Sequence, residues 1–350
     1  MRFEDVLEIK NGRNQKAVEN PNGKYPIYGS GGVMGYADDY ICDAQTVIIG
    51  RKGSINNPLF VEEPFWNVDT AFGLSANRDV LLPRYLFYFC KKFDFERLNK
   101  TVTIPSLTKS DLLKIEIDLP NLEKQQNIVE QLVKIDQIIT LRKQELRSLD
   151  NLIKARFVEL FGNPLDSNKV NYIFTECVEF NPKKSEVKDL QDLEVSFVPM
   201  ECVGVDGSFS IKGTGLVSDY YSGYTYFRDG DVLLAKITPC FENGKVAIAT
   251  DCKNGIGFGT TEFHVSRPLK GITNSVWIKY LLKNDMVHDL ATINMSGSAG
   301  QKRIQTPFFN KLKVYVPPIE EQEQFADFVH QVDKSKVVIQ NVINKKHRKR

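Results

Sequence analysis

No window of this sequence comes near about eighteen consecutive uncharged apolar residues, so nothing in it reads as a membrane-crossing helix. Its first residues, Met1-Arg2-Phe3-Glu4-Asp5, cannot start a signal peptide, and a cytoplasmic location is expected. The six cysteines, Cys42, Cys90, Cys177, Cys202, Cys240 and Cys252, form no C-x-x-C pair, and the four histidines stand at no ligand spacing from them. A structural zinc site and disulfides are both disfavoured, and the cysteines read as buried or incidental thiols. There is no G-x-x-x-x-G-K-[ST] loop, which excludes ATP-driven work of the P-loop kind. A nucleophile with its base, a metal cluster and a cofactor loop are also missing, so no catalysis, metal or cofactor is expected. Charge is nearly balanced at +2, which gives no global sign of nucleic-acid affinity. The terminal run Lys345-Lys346-His347-Arg348-Lys349-Arg350 reads as a solvated tail.

What the sequence does contain is a long period-3.5 stripe. Ile128, Leu132, Ile135, Ile139, Leu146, Leu149, Ile153 and Leu160 alternate steps of four and three, interrupted at Arg142 and weakened at Arg156. Such spacing buries one narrow seam against a partner helix while charged residues keep the other faces in water. Helix start at Pro120 and stop at Gly162-Asn163-Pro164 bound it, for a length of roughly 60 Å at about 1.5 Å per residue. The partner lies in the same chain. At an offset of 197, Pro120 becomes Pro317 and Glu123-Lys124-Gln125-Gln126 becomes Glu320-Glu321-Gln322-Glu323. Phe325, Val329, Val332, Lys336, Ile339 and Ile343 then repeat the seam. The approach repeats too, Leu112 to Pro120 against Phe309 to Pro317, and its alternation predicts a strand running into a proline.

Upstream the same duplication continues with a changing offset. Phe3-Glu4-Asp5-Val6-Leu7 matches Phe174-Thr175-Glu176-Cys177-Val178 at 171, and Thr46-Val47-Ile48-Ile49-Gly50-Arg51 matches Asp231-Val232-Leu233-Leu234-Ala235-Lys236 at 185. A fixed framework with loops of variable length describes a recognition domain. The glycines of Tyr28-Gly29-Ser30-Gly31-Gly32 do not read as a nucleotide loop, because no buried strand leads in and no helix follows; a tight turn in a β-rich domain fits better. After Val47-Ile48-Ile49-Gly50 the chain emerges into Arg51, Lys52, Gly53, Ser54, Asn56 and Asn57, side chains able to meet phosphates and base edges. The plain alternative is a solvated hairpin turn. Phe65 to Phe72 reads as the next strand, and Leu82–Asn99 and Ser275–Leu290 as amphipathic helices closing each domain. Polar linkers follow, 101–106 and 296–303; the second carries a cation at the tip of a Gly/Ser loop. Asn57-Pro58-Leu59-Phe60 departs from the adenine-methyltransferase motif at Leu59 and is a coincidence, and His264 and His288 read as core or surface histidines.

Recognition domain, long helix, recognition domain, long helix, with Leu119-Pro120-Asn121-Leu122-Glu123 and Val316-Pro317-Pro318-Ile319-Glu320 opening the helices, resembles the specificity subunit of type I restriction-modification systems. Local matches are Tyr28-Gly29-Ser30-Gly31-Gly32, Gly50-Arg51-Lys52-Gly53, Val68-Asp69-Thr70 and Leu160-Phe161-Gly162-Asn163-Pro164. The resemblance implies an α+β fold in which two β-rich target recognition domains, each followed by a long helix, are related by a pseudo-two-fold, the helices forming an antiparallel coiled coil. Its boundaries are 1–118 and 164–316 for the recognition domains, 119–163 for the central helix, and 317–350 for the distal helix and basic tail. It implies a non-catalytic reader of double-stranded DNA within a DNA adenine methyltransferase and ATP-dependent endonuclease complex. Each domain reads half of a bipartite target, the helix pair sets the spacer, and two methylation subunits and the restriction subunits dock on the frame. The second helix, read over Pro318–Asn344, is shorter than the first, a departure from that layout. Candidate DNA contacts are Tyr28, Ser30, Arg51, Lys52, Ser54, Asn56, Asn57, Asn67 and Thr70 in the first domain. In the second they are Lys236, Thr238, Lys245, Thr260, Thr261, Ser298 and Arg303. The competing reading is a coiled-coil scaffold joining two protein-binding domains.

Overall fold

The computed structural model describes every residue except Val102, Ala299 and 348–350, and only the backbone of 344–347; the basic tail's side chains therefore lie outside the described residues. Two compact units divide the chain, Met1–Lys143 with Ile343–Arg350, and Gln144–Val342.

In the first unit a short helix α1 (Phe3–Val6) runs straight into β1 (Leu7–Asn11), and a hairpin of β2 (Tyr25–Gly29) and β3 (Gly32–Ala37) follows. Then come β4 (Thr46–Gly50), β5 (Leu59–Val61), β6 (Trp66–Asn67) and β7 (Ala71–Ala76). One sheet has the order β1-β7-β4-β5 and the other β3-β2-β6. β4 is buried on both faces because its side chains alternate between two cores. Val47 and Ile49 join Phe3, Phe72 and Leu86 on one side, and Ile48 joins Cys42 and Phe65 on the other. The strand expected over Phe65–Phe72 breaks after Asn67, where a turn closes with Ala71 N–H donating to the Val68 carbonyl.

The closing helix α2 (Pro83–Lys92) is shorter than the periodicity predicts. Asp94 accepts from the Glu96 N–H and starts a separate 3-10 turn, Phe95–Leu98, an N-cap that competes with helix continuation. The approach read as a strand is partly helical, since Leu112 and Leu113 end α3 (Lys109–Leu113). Past it, Ile115 and Ile117 bond to the backbone of Phe3 and Met1. The long helix α4 (Leu122–Phe161) is capped by the Asn121 side chain on the Lys124 N–H and stops at Gly162, whose φ of 69° is the left-handed conformation glycine tolerates.

The second unit repeats this plan with additions. In order it contains β8 (Tyr172–Ile173), α5 (Phe174–Cys177), β9 (Val178–Phe180), β10 (Glu194–Val198), β11 (Gly213–Leu216), α6 (Val217–Tyr220), β12 (Thr225–Arg228), β13 (Val232–Ala235), β14 (Val246–Ile248), β15 (Ile256–Gly259) and β16 (Phe263–Pro268). After the strands come α7 (Ser275–Leu282), α8 (Asp285–Ile293), α9 (Thr306–Phe309), β17 (Lys313–Val314) and α10 (Ile319–His347). Its sheet β9-β16-β13-β14 has the same order as β1-β7-β4-β5. In the second sheet β10 pairs antiparallel with β11 and parallel with β15, as β2 does with β3 and β6; β12 is an added edge. The helix expected over Ser275–Leu290 is two helices, because Asn284 caps α8 on the Met286 N–H.

Within this unit the C-terminal part of α4 lies antiparallel to α10. Phe157 and Phe161 stand edge-on to Phe325 at ring separations of 5.5 and 5.6 Å, while Lys336 Nζ reaches Asp150 at 2.7 Å. The α10 seam runs as its period predicts: Phe325, Val329, Val332 and Ile339 are buried in this unit, and Ile343 is buried in the first. At the end of α4 Leu160 packs half-buried on the same core, as its spacing predicts, while the fully buried places go to Phe157 and Phe161 and Arg156 is half-exposed. A straight α-helix drifts from a strict 3.5 repeat, and two aromatic rings set the last contact. Ile128 and Leu132 belong to the part of α4 that lies in the first unit. There they are half-exposed and line a cleft of about 570 Å³ with Tyr85, Tyr88 and Phe89.

All six cysteines are free and five are buried. Burial pushes the thiols of Cys42 and Cys177 up to about 12, so neither is a nucleophile near neutrality.

Candidate nucleic-acid interface

The end of β4 brings the first group together. Arg51 N–H donates to the Thr70 carbonyl at 2.7 Å, and the Arg51 carbonyl accepts from Leu107 N–H at 2.9 Å. The backbone is thus gripped from both sides while the side chain is exposed, its guanidinium 5.7 Å from the Phe72 ring centroid. Lys52 is exposed and bridged to Ser106. Among the described residues neither cation has a carboxylate partner. A Cβ on Gly50 would fall 2.4 Å from the Ser54 carbonyl oxygen and 3.0 Å from Ser30, so glycine there lets the hairpin turn and the cationic loop meet. Ser30, Arg51, Lys52, Ser54 and Thr70 therefore share one surface.

The second unit mounts Lys236 by the same bonds. Its N–H donates to the Glu262 carbonyl at 2.9 Å and its carbonyl accepts from Ile304 N–H at 2.9 Å. Leu107 and Ile304 are 197 positions apart, so the grip on both cations descends from one ancestral step. Lys236 lines a cavity of about 320 Å³ with Thr261, Lys184, Tyr224, His264 and Thr306.

His264 in this wall has a defined tautomer. Nε2 lies 3.0 Å from the Ile304 carbonyl, which can only accept, so Nε2 carries the proton and Nδ1 accepts from Asn181 Nδ2 at 3.2 Å. Asn181 cannot reverse its amide without losing the Val265 N–H, which its Oδ1 accepts at 3.0 Å. Burial, with the Lys236 charge adding to it against the Ile304 bond, pulls the histidine down from 6.5 to about 4. Between those values the unfolded chain binds a proton that the folded chain does not, so stability is complete above pH 6.5 and is lost as pH falls toward 4. Urea titrations are expected to show up to about 3 kcal/mol of such loss, largely absent in His264→Gln.

Several other sequence-derived candidates have internal partners. Asn67 is fully buried, accepting from Cys42 Sγ and donating to the Ala71 carbonyl. Asn56 binds the Asp94 carboxylate and the Phe95 N–H. Thr238 donates to Glu242, and Lys245 to the Met200 carbonyl. Arg303 is doubly bonded to Glu262, which holds that carboxylate below its ordinary range and leaves no net charge. Tyr28 is half-buried against Phe65, and Thr260 accepts from the Glu262 N–H. Asn57, Thr261 and Ser298 remain exposed. Lys302, in the Gly/Ser loop that the sequence marks, is exposed; sequence reasoning missed Lys184 and Tyr224 in the cavity wall, where Lys184 Nζ donates to the Tyr221 carbonyl at 2.7 Å. A second cavity of about 470 Å³ beside Lys154 and Asp285 mixes charges of both signs, and its Lys283 is held on the Val205 carbonyl.

Among the described residues there is no group of side chains that could hold a metal ion, and no helix long and apolar enough to cross a membrane.

A family model described as the type I restriction modification DNA specificity domain matches residues 1–151 and 168–346. Over 154 residues the chain is 44% identical to the type I restriction enzyme EcoAI specificity subunit of Escherichia coli, covering 43% of this chain and 25% of that protein. The EcoEI specificity subunit of the same organism is 43% identical over 156 residues, again a quarter (25%) of its length. The MjaVIII specificity subunit of Methanocaldococcus jannaschii is 23% identical over 313 residues, 83% of this chain and 70% of that one. Among solved structures, the type I restriction-modification S subunit from M. genitalium superposes with a TM-score of 0.55 at 16% identity, covering 99% of this chain and 91% of that chain, a likeness of fold.

Proposed function

The chain belongs to the type I restriction modification DNA specificity family, and from that premise we propose that it is the non-catalytic DNA-reading subunit of a methylation and restriction complex. Each unit reads one half of a bipartite duplex target. The paired helices set the unread spacer and carry two methylation subunits and the restriction subunits. Family membership leaves the scaffold reading without support.

One observation carries the assignment of the reading surface: Arg51 and Lys236 are held by equivalent backbone bonds at the same step of the repeat, Arg51 with an exposed side chain and Lys236 at the wall of an open cavity. A cation mounted this way can pair with a base edge or a phosphate. Arginine can bind guanine through two bonds, whereas lysine meets phosphate as a point charge, so the two halves need not read alike. Ser30, Lys52, Ser54, Asn57 and Thr70 complete the first surface, and Thr261 and Lys302 the second.

The test is the methylated sequence produced when the chain is co-expressed with its methylation subunits. Arg51→Ala is expected to cost about 1–3 kcal/mol in binding and to relax one position of one half-site. Uniform weakening over all sequences with a shallower salt dependence would assign Arg51 to phosphate instead. Unchanged affinity, salt slope and methylated sequence would remove this turn from the interface.

A further inference from the structure

Gln125 and Gln322 occupy the same place in the two copies of the helix-opening motif, and both are fully buried although their neighbours Lys124, Gln126, Glu321 and Glu323 are exposed. Each makes the same three bonds. Gln125 Oε1 accepts from Leu82 N–H at 2.9 Å, and its Nε2 donates to the carbonyls of Val80 and Pro120, both at 2.8 Å. Gln322 Oε1 accepts from Asn274 N–H at 3.1 Å, and its Nε2 donates to the carbonyls of Ile272 and Pro317, both at 2.8 Å. Leu82 and Asn274 are the N-cap residues of α2 and α7, and the prolines stand just before α4 and α10.

One side chain thus ties three backbone points: the segment before the domain's closing helix, that helix's cap, and the root of the long helix. Only an amide of this length supplies one acceptor and two donors there. Glutamate offers no donor when ionised, asparagine is shorter by a methylene, and methionine fills the space without satisfying the groups. Backbone groups that lose such a partner inside a protein seek others by moving.

We propose that Gln125 and Gln322 are positioning residues that fix the angle at which each recognition domain leaves its long helix, and so fix the number of base pairs between the two half-sites. The inference rests on the DNA-reading assignment above. A domain pivoting at the helix root shifts its reading surface along the duplex, where one base pair is about 3.4 Å. Loosening both joints therefore broadens the accepted spacer without altering which bases are read.

The assembled complex tests this. The chain, wild type or Gln125→Met/Gln322→Met, is co-expressed with its methylation subunits, and the methylated sites in genomic DNA are sequenced. The double variant is expected to mark the same two half-sites, with methylation at spacers one base pair longer or shorter rising at least tenfold. A variant that assembles, marks the wild-type half-sites and keeps a single spacer overturns the positioning role alone. A wild-type complex that marks no bipartite sequence overturns the DNA-reading assignment, and this inference with it. Should the double variant fail to assemble, the single replacements, each with one joint intact, are read by the same criterion. If neither single variant assembles, the glutamines serve folding and the positioning role is overturned.

Discussion

Phe325→Ala is expected to lower the stability of the second unit by about 3–5 kcal/mol, the range for removing a large aromatic side chain from a packed core. The ring is fully buried, with Phe157, Phe161 and Tyr280 edge-on at 5.5, 5.6 and 5.4 Å. It is the point where α4, α10 and α7 share one aromatic cluster, so the cavity left by truncation has walls on three helices and cannot close by moving one of them. Urea unfolding followed by circular dichroism measures the loss. Val337→Ala, on the solvent side of α10 with 59% of its surface exposed, is the control and is expected within about 0.5 kcal/mol of wild type. A Phe325→Ala loss below about 1 kcal/mol would mean that the helix pair does not depend on this cluster. Subunit docking should weaken in parallel if the pair carries the methylation subunits.

Asp231→Ala is expected to cost about 3 kcal/mol, because it removes a buried carboxylate that accepts two bonds from the Arg267 guanidinium and one from the Arg228 N–H. Asp231 is 1% exposed and pairs bidentately with Arg267, Oδ1 to Nε and Oδ2 to Nη2, both at 2.9 Å. It also accepts the Arg228 N–H at 2.8 Å. Burial works against the Arg267 charge, yet the bonds and charge of Asp231, with Glu186 beside it, raise the guanidinium above its ordinary pKa. Glu179 and Glu186 still touch Arg267 in the variant and keep the loss from growing further. The first copy makes the comparison. At the position of Asp231 it has Thr46, fully buried, its hydroxyl donating to the nearby Asp43 carbonyl, a neutral bond where the second copy has an ion pair. Thr46→Ala is expected to cost about 1 kcal/mol. If the two substitutions cost the same by urea unfolding, the ion pair contributes nothing beyond its packing.

These positions show where sequence reasoning succeeds and where it stops. The α10 seam could be read residue by residue, because a stripe exposed to water on all other faces must carry its apolar residues at the helical period. At the end of α4 Leu160 packs on the core as its spacing predicts, but Phe157 and Phe161 take the buried places beside it, since choosing between neighbouring columns requires knowing which ring lies opposite. Both closing helices were read as unbroken. The apolar period continues across Asp94 and Asn284, and only their capping bonds to Glu96 and Met286 interrupt the backbone.

Taken alone, the order of residues determined the duplication, the two long helices, and the placement of Arg51 and Lys236 at one step of the repeat, because period and offset are properties of that order. Tertiary structure alone decided which polar side chains are already spent. Asn56 is held by Asp94 38 positions on, Arg303 by Glu262 41 positions back, and Lys245 by Met200 45 positions back. It likewise decided that Gln125 and Gln322, flanked by exposed polar neighbours, are the buried ones. A hydrogen-bonding group is free or occupied according to what the fold brings within about 3 Å of it, and that distance is unrelated to separation along the chain.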